Sequence, residues 1–409
     1  MKILFLALNE IDSVNDGYIY ADLIKEFGEH GHEVYAITPT RKEETQLCES
    51  EGVKIIKVKN GTIQKTGKIR KALNLLFLDK HTLDAVKRFT KGIVFDLIIA
   101  FTSSLAYTKT IIKLKKKYKA KVYLYLKDIF PQNALDLGML KEKGLLSFVT
   151  KYYRRKEHRL YTACDYIGVL SENTKKYVEE HYALGNGKIE VNSNSVYLED
   201  KKFLTLGTDE KMRIRREFDV PEEKVLFFYG GNLGVPQGVD FILTCISGFE
   251  RIKNCFLLIV GDGTEYKKIA EYIGKEQIKN TKLLPRVPLE KYDTLLSASD
   301  VALIFLNRKF TLPNFPSRML SYMQAARPMI CATDEICDAG DVAEENHFGY
   351  KVLSGDEKDF FEKVKILSEN EKLREEMGEN ARRFMVENYS TKKSYEIVMA
   401  HFKDENIIN

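Results

Sequence analysis

No stretch of this 409-residue chain approaches the ~18 consecutive apolar residues that a membrane-crossing helix needs. The six cysteines (48, 164, 245, 255, 331 and 337) include no CxxC pair, and the seven histidines show no metal-ligand spacing. This argues against a disulfide framework and a zinc-type site, and points to free thiols in a reducing compartment with no metal. Tryptophan is absent too, which excludes nothing by itself. A GxGxxG fingerprint is missing, which argues against a dinucleotide-dependent enzyme. The opening residues MKILFLALNE meet Glu10 and Asp12 too soon for a secretory leader, and read instead as a first buried strand. Short-period repeats and low-complexity segments are also lacking.

What is present fits a chain with real cores: 44% hydrophobic and 30% charged residues, at a length that favours two domains. The net charge of +5 is unevenly spread. Residues 51–160 hold 26 Lys and Arg against 8 Asp and Glu, a surplus of 18, so the remainder is acidic. That asymmetry suits either an anionic partner for the first half or a solvated lysine face.

Near-continuous apolar runs separated by helical stretches recur along the chain, the pattern of parallel sheets covered on both faces. In the first half the expected strands are Lys2–Leu8, Glu33–Thr38, Val53–Val58, Asp96–Phe101, Lys121–Leu126 and Asp165–Ser171. The series restarts at Val225–Gly230 and continues with Cys255–Val260, Lys282–Leu284, Asp300–Leu306, Met329–Ala332 and Tyr350–Leu353. The fold class is therefore α/β, with two doubly wound domains. Their expected limits are 1–195, a polar linker over 196–223, and 224–385. The final stretch, 386–409, reads as a helix that crosses back, with a break at Asn388-Tyr389-Ser390.

Ligands of such sheets bind at the carboxyl ends of the strands. One such end reads GGNLGVPQGVDFIL (Gly230–Leu243), where glycines between strand and helix let the backbone approach a phosphate. Asn232 and Gln237 are unusual in a purely structural turn. LIVGDG ends in Gly261, Asp262 and Gly263, which suits a ligand contact or simply a tight turn. KLLPRV, carrying Arg286 and Val287, is a third strand end. The fourth is FTLPNFPSRMLSYMQAARPMI, where Ser317 stands at an expected N-cap and Arg318 follows. A cation at the positive end of a helix dipole is disfavoured unless an anion lies close by. Pro316, Ser317 and Arg318 would together suit a diphosphate.

The order of these motifs resembles the retaining glycosyltransferases of the two-Rossmann-domain class (GT-B), family four. Within it, the resemblance is to the branch that builds bacterial capsule and O-antigen polysaccharide, including N-acetylfucosamine-type transferases. It covers essentially the whole chain: MKILFLALNE with Gly17, GHEVYAIT, KDIFPQNALDLG (Lys127–Gly138), DYIGVLSENTKKYV, YGGNLGVPQGVDFIL, LIVGDG, LLPRV, SDVALIFL and FPSRMLSYMQAARPMI. The resemblance implies two domains facing across a cleft. It implies a nucleotide-sugar donor, UDP-linked, on the second domain and an acceptor on the first, with Gly17, Lys127 and Asp128 on the acceptor side. Transfer would proceed with retention, with no cofactor and no metal. By position, Gly231, Asn232 and Gln237 would line the diphosphate, Arg286 and Val287 would meet the base through their backbone, and Pro316, Ser317 and Arg318 would hold the phosphates.

The sequence departs from the family pattern where an Arg and a Lys give way to Asn232 and Gln237. The two glutamates of the family's Glu-x7-Glu fall on Pro313 and Ser321, so Ser321 would face the ribose without a charge. Arg318, with Arg308 or Lys309, would have to compensate. These departures keep open a non-catalytic subunit of the same fold; a nucleotide-sugar epimerase is the other alternative.

In the transfer reading, Asp128 and Arg318 are the catalytic candidates. Asp128 would orient or partly deprotonate the acceptor hydroxyl, or else cap the turn before Pro131. Arg318 would stabilise charge on the leaving diphosphate. The basic residues within 109–159, above all LLSFVTKYYRRKEHRLY (Leu145–Tyr161), fit an interfacial helix on an anionic membrane or a core helix with a basic edge. The expected setting is cytoplasmic, peripheral on the inner face of the plasma membrane, with a glycan or polyprenyl-diphosphate-linked acceptor. A nucleic-acid partner is not expected, because no aromatic stacking platform accompanies the basic patches.

Overall fold

A computed structural model describes residues 1–41, 43–60, 68–102, 105–145, 147–198 and 206–402. The chain forms two compact units, Met1–Leu198 with Tyr389–Asn409, and Glu199–Asn388.

The first unit holds strands β1 (Lys2–Leu6), β2 (Glu33–Thr40), β3 (Gln46–Ser50), β4 (Val53–Lys59), β5 (Leu97–Thr102), β6 (Lys121–Leu126), β7 (Tyr166–Val169) and β8 (Ile189–Val191). They make one sheet in the order β3-β4-β2-β1-β5-β6-β7-β8, parallel throughout except where β3 runs antiparallel to β4. The apolar runs reveal its central strands because both faces are buried: every residue of Ile3–Leu6 and Val122–Leu126 is at most 1% exposed. The edge strands β3 and β8 are additions to the expected set: β8 has only 3 residues, and β3 is exposed or half-buried throughout.

The second unit holds β9 (Val225–Asn232), β10 (Cys255–Asp262), β11 (Thr281–Leu284), β12 (Val301–Phe305), β13 (Met329–Thr333) and β14 (Gly349–Leu353), all parallel, in the order β11-β10-β9-β12-β13-β14. Strand order reverses between β9 and β12, which opens a crevice at their carboxyl ends where such sheets bind ligands. In the first sheet the matching reversal lies between β1 and β5.

The expected polar linker is partly helical. Thr208–Glu217 is a helix of the second unit, anchored by buried Arg215, which donates to Asp300 at 2.7 Å and to the carbonyl of Ala298. The final helix, Thr391–Ala400, belongs to the first unit. There Thr391 Oγ1 donates to Glu26, and Ser394 bonds both Tyr125 and Asn192. The break before it leaves Ser390 as an N-cap whose side chain accepts from Lys393 N–H.

Candidate functional site

In the second unit the carboxyl end of β9 turns at Gly230-Gly231-Asn232, beside the crevice. Gly231 has φ +143°, and an added Cβ would lie 2.9 Å from Cζ of Arg318. The glycine loop and the guanidinium, far apart in sequence, are therefore in contact. Cζ of Arg318 also lies 4.7 Å from the centroid of the Tyr229 ring. Tyr229 donates to the carbonyl of Asn232 at 2.7 Å, and Tyr322 accepts from the N–H of Gly230 at 3.1 Å. Tyr292 stands edge-on to Phe228, against Gly230.

No carboxylate among the described residues pairs with Arg318, and its Nη1 is shut off from solvent without a hydrogen-bond partner. A guanidinium keeps its charge wherever it is placed, and burying it uncompensated is costly. This charge lies against the Gly230–Asn232 turn, at a topological switch point.

The remaining donor-side candidates divide into two groups. Gln237 is buried, and its Oε1 accepts from Asn232 Nδ2 at 2.8 Å and from Gly234 N–H at 3.1 Å, so these two side chains brace the loop. Gly261 and Gly263 allow close backbone packing: a Cβ would meet the carbonyl oxygen of Gly231 at 1.9 Å or that of Leu233 at 2.2 Å. Asp262 accepts from the N–H of Gly263. Past β11, Arg286 is exposed and Val287 half-buried.

The helix Arg318–Gln324 corrects the expected cap. Ser317 has φ −60° and ψ −25°, already helical, and its side chain makes no capping bond. The N–H groups of Met319 and Leu320 are taken by the carbonyls of Pro316 and Ser317. The guanidinium, more than the helix amides, therefore carries the charge of this corner. Ser321 Oγ donates back to the carbonyl of Arg318 at 2.8 Å. Arg308 lies 3.8 Å from Glu335, so it already has a counter-charge.

In the first unit Lys127 and Asp128 follow β6 directly, and Gly17, at φ +69°, sits in the turn after β1. Asp128 opens to solvent on one side, yet burial, against the opposing charge of Lys127, pushes its carboxyl up to about 6. Burial outweighs the favourable charge of Asp128 and lowers the Lys127 ammonium to about 7; its Nζ lies 4.8 Å from the Tyr125 ring centroid. Tyr20, which no sequence motif singles out, joins this cluster: burial, then the nearby Asp128 charge, raises its phenol to about 12. Perturbed carboxylate and ammonium groups side by side at a strand end make this cluster a candidate site.

Residues 18–200 match the profile described as Glycosyltransferase Family 4, and residues 210–384 the profile described as glycosyl transferases group 1. The chain belongs to this glycosyltransferase group. A probable glycosyltransferase of Pseudomonas aeruginosa, WbjE, is 23% identical over 270 residues, 64% of this chain and 63% of that protein. An uncharacterized glycosyltransferase of Methanocaldococcus jannaschii, MJ1069, is 23% identical over 239 residues, 58% of this chain and 57% of that protein. The alignable part thus spans less than two thirds of either relative.

Solved glycosyltransferase structures share the GT-B fold. WaaG, involved in lipopolysaccharide biosynthesis, gives a TM-score of 0.66 at 16% identity over 97% of this chain and 99% of its own. HepE of Anabaena, solved with UDP and glucose, gives 0.68 at 12% identity, covering 98% and 99%. Sucrose-phosphate synthase of Thermosynechococcus elongatus gives 0.74 at 14%, covering 98% of both chains. Among the described residues, no group of His, Cys, Asp and Glu is placed to hold a metal ion.

The contact between Gly231 and Arg318 yields a test. Gly231→Ala places a Cβ where the guanidinium now lies and strains a backbone at positive φ. The expected result is at least a tenfold loss of affinity for UDP by calorimetry, with a melting temperature lowered by only a few degrees.

Proposed function

We propose that this protein is a retaining glycosyltransferase. It would move a sugar from a UDP-linked donor, of the N-acetylated amino or deoxy class, to a glycan or polyprenyl-diphosphate-linked acceptor in surface polysaccharide synthesis. The observation that carries the donor reading is the unpaired, enclosed Nη1 of Arg318 beside the Gly230–Asn232 turn. UDP in the HepE structure and the lipopolysaccharide role of WaaG support the donor and product classes.

In this mechanism the donor diphosphate lies on the Gly230–Asn232 turn and shares its charge with Arg318. As the anomeric bond breaks, negative charge grows on the leaving diphosphate, and a fixed guanidinium with little access to water stabilises it without reorganising. The carboxylate of Asp128, ionised above about pH 6, orients the acceptor, whose hydroxyl proton passes to the leaving phosphate oxygen on the same face as the new glycosidic C–O bond forms. The charge of Lys127 favours the carboxylate but does not overcome the effect of burial.

Calorimetric titration with UDP, GDP and ADP tests the donor assignment. Binding of UDP in the micromolar range, with GDP and ADP at least tenfold weaker, is the expected outcome. No binding to any of them would favour a non-catalytic subunit.

The acceptor class also implies work at the cytoplasmic face of a membrane. Among the described residues no helix is long and apolar enough to cross one. Exposed large apolar side chains nonetheless gather within a short stretch: Met139 is 68% exposed, Leu145 94%, Phe148 64% and Tyr152 47%. Lys141, Lys143, Lys151, Arg155 and Arg159 are exposed among them. Two of the basic candidates do not belong to this face. Lys115 is bound to Asp165 at 2.7 Å and to the carbonyl of Ala163, and Arg154 turns inward. At about 1 kcal/mol per basic residue near an anionic surface, Lys151→Ser with Arg155→Ser lowers partitioning onto phosphatidylglycerol vesicles about thirtyfold. Sedimentation with those vesicles, and with neutral ones, measures it.

A further inference from the structure

The Ser147–Ala163 helix has two faces of opposite character, each following helical periodicity. Phe148, Lys151, Tyr152, Arg155, His158 and Arg159 form an exposed stripe. Thr150, Tyr153, Arg154, Glu157, Leu160 and Tyr161 form the stripe that packs inward.

The inner stripe grips the segment that follows Asp128. The Tyr153 ring stands edge-on to Phe130, with centroids 4.8 Å apart. Arg154 donates to Gln132 Oε1, and Gln132 in turn donates to Asp136 at 2.8 Å. Arg154 is held from the other side by Glu157, which is fully buried and lies 3.4 Å away, and by the Tyr182 hydroxyl at 3.4 Å. Thr150 Oγ1 ties the start of the helix to the carbonyl of Lys141 at 2.8 Å. Phe130 and Gln132 lie two and four residues beyond Asp128.

We infer that Tyr153 and Arg154 are positioning residues: docking of the outer stripe on an anionic lipid bilayer is passed through them to the Lys127–Asp136 segment, so that the acceptor-side loop is ordered when the protein is on a membrane. The inference rests on the membrane reading above and adds to it. A helix with one face on lipid and the other on the loop carries both contacts on a single rigid element, and nothing else need move. The outer stripe fits anionic lipid because its cations flank Phe148 and Tyr152, allowing rings at headgroup depth and charges against phosphate. The fully buried Glu157 fixes the height of half-buried Arg154 on the inner face, because a shift of Arg154 would leave the carboxylate uncompensated.

The full chain lacks tryptophan, so Phe130→Trp gives a single indole reporter on the loop, and Phe148→Trp, in a separate protein, one on the lipid face. The probes are vesicles of phosphatidylcholine mixed with phosphatidylglycerol, vesicles of phosphatidylcholine alone, and anionic vesicles with brominated acyl chains. The expected result is that brominated anionic vesicles quench the lipid-face reporter. The loop reporter should shift its emission along the same binding isotherm without being quenched. Backbone hydrogen exchange of residues 127–137 in the unmodified protein should slow at least threefold on anionic vesicles. Tyr153→Ala and Gln132→Ala should bind the vesicles with unchanged affinity while that slowing disappears.

Vesicle binding with no change in the loop reporter or in exchange would overturn the coupling and leave membrane docking standing. Quenching of the loop reporter would overturn it too, because the loop would then be inserting by itself. No binding to anionic vesicles would remove both readings.

Discussion

Arg318→Ala is expected to lower kcat/KM by 10²–10³ and to weaken UDP binding by at least a factor of ten, while the unliganded protein melts no lower than the wild type. Each half has a separate cause. A preorganised donor removed from a site of developing negative charge typically costs about 2.7–4 kcal/mol of transition-state stabilisation. In the unliganded protein, by contrast, Arg318 is an enclosed cation with no carboxylate partner among the described residues and an unsatisfied Nη1. Removing it relieves a penalty, offset in part by the loss of the contact with the buried Tyr229 ring, about 2 kcal/mol for a desolvated pair. Arg318→Lys is expected to recover only part of the activity, because an ammonium cannot make the bidentate contact. Steady-state kinetics, calorimetry and a thermal melt of the three proteins decide the matter. A fall in melting temperature without loss of nucleotide affinity would make Arg318 structural.

The second large effect concerns Asp128. Its carboxyl titrates near 6 and the ammonium of Lys127 near 7, so both charges coexist chiefly between those values. The carboxylate is the working form, and it is lost as the pH falls through about 6. Below that point kcat/KM should drop about tenfold per pH unit, as for any single required ionisation. Asp128→Asn should lower kcat by 10²–10⁴ and leave UDP affinity unchanged. Activity within about threefold of wild type would reduce Asp128 to a residue of the turn before Pro131.

How much of this is readable in the sequence depends on what each signal reports. Central parallel strands such as Ile3–Leu6 and Val301–Phe305 are buried on both faces, and their continuous apolar runs betray them. The edge strand Gln46–Ser50 has no such run and leaves no comparable trace. Arg318 is legible as an oddity, a cation at a helix start. The enclosure that gives it meaning is not, because Tyr229, Tyr292 and Tyr322 come together only through the order of strands and the helices before and after β12. Ser317 misleads because N-cap preference presumes an extended backbone, and here the residue is already helical. In the Ser147–Ala163 helix periodicity supplies two stripes without saying which one packs. The Glu157 carboxylate, completely buried, decides that Arg154 faces inward.

The return of the Thr391–Ala400 helix to the first unit has a consequence for the order of events on the ribosome. Val398, Met399 and Phe402 belong to the same apolar cluster as Ile3, Phe5 and Phe27. The core around β1 thus stays open until the last of these has emerged. The second unit, Glu199–Asn388, has all its parts sooner, so it can be complete while its predecessor still waits. A premature stop just after Asn388 would therefore damage the unit begun earlier and spare the one begun later.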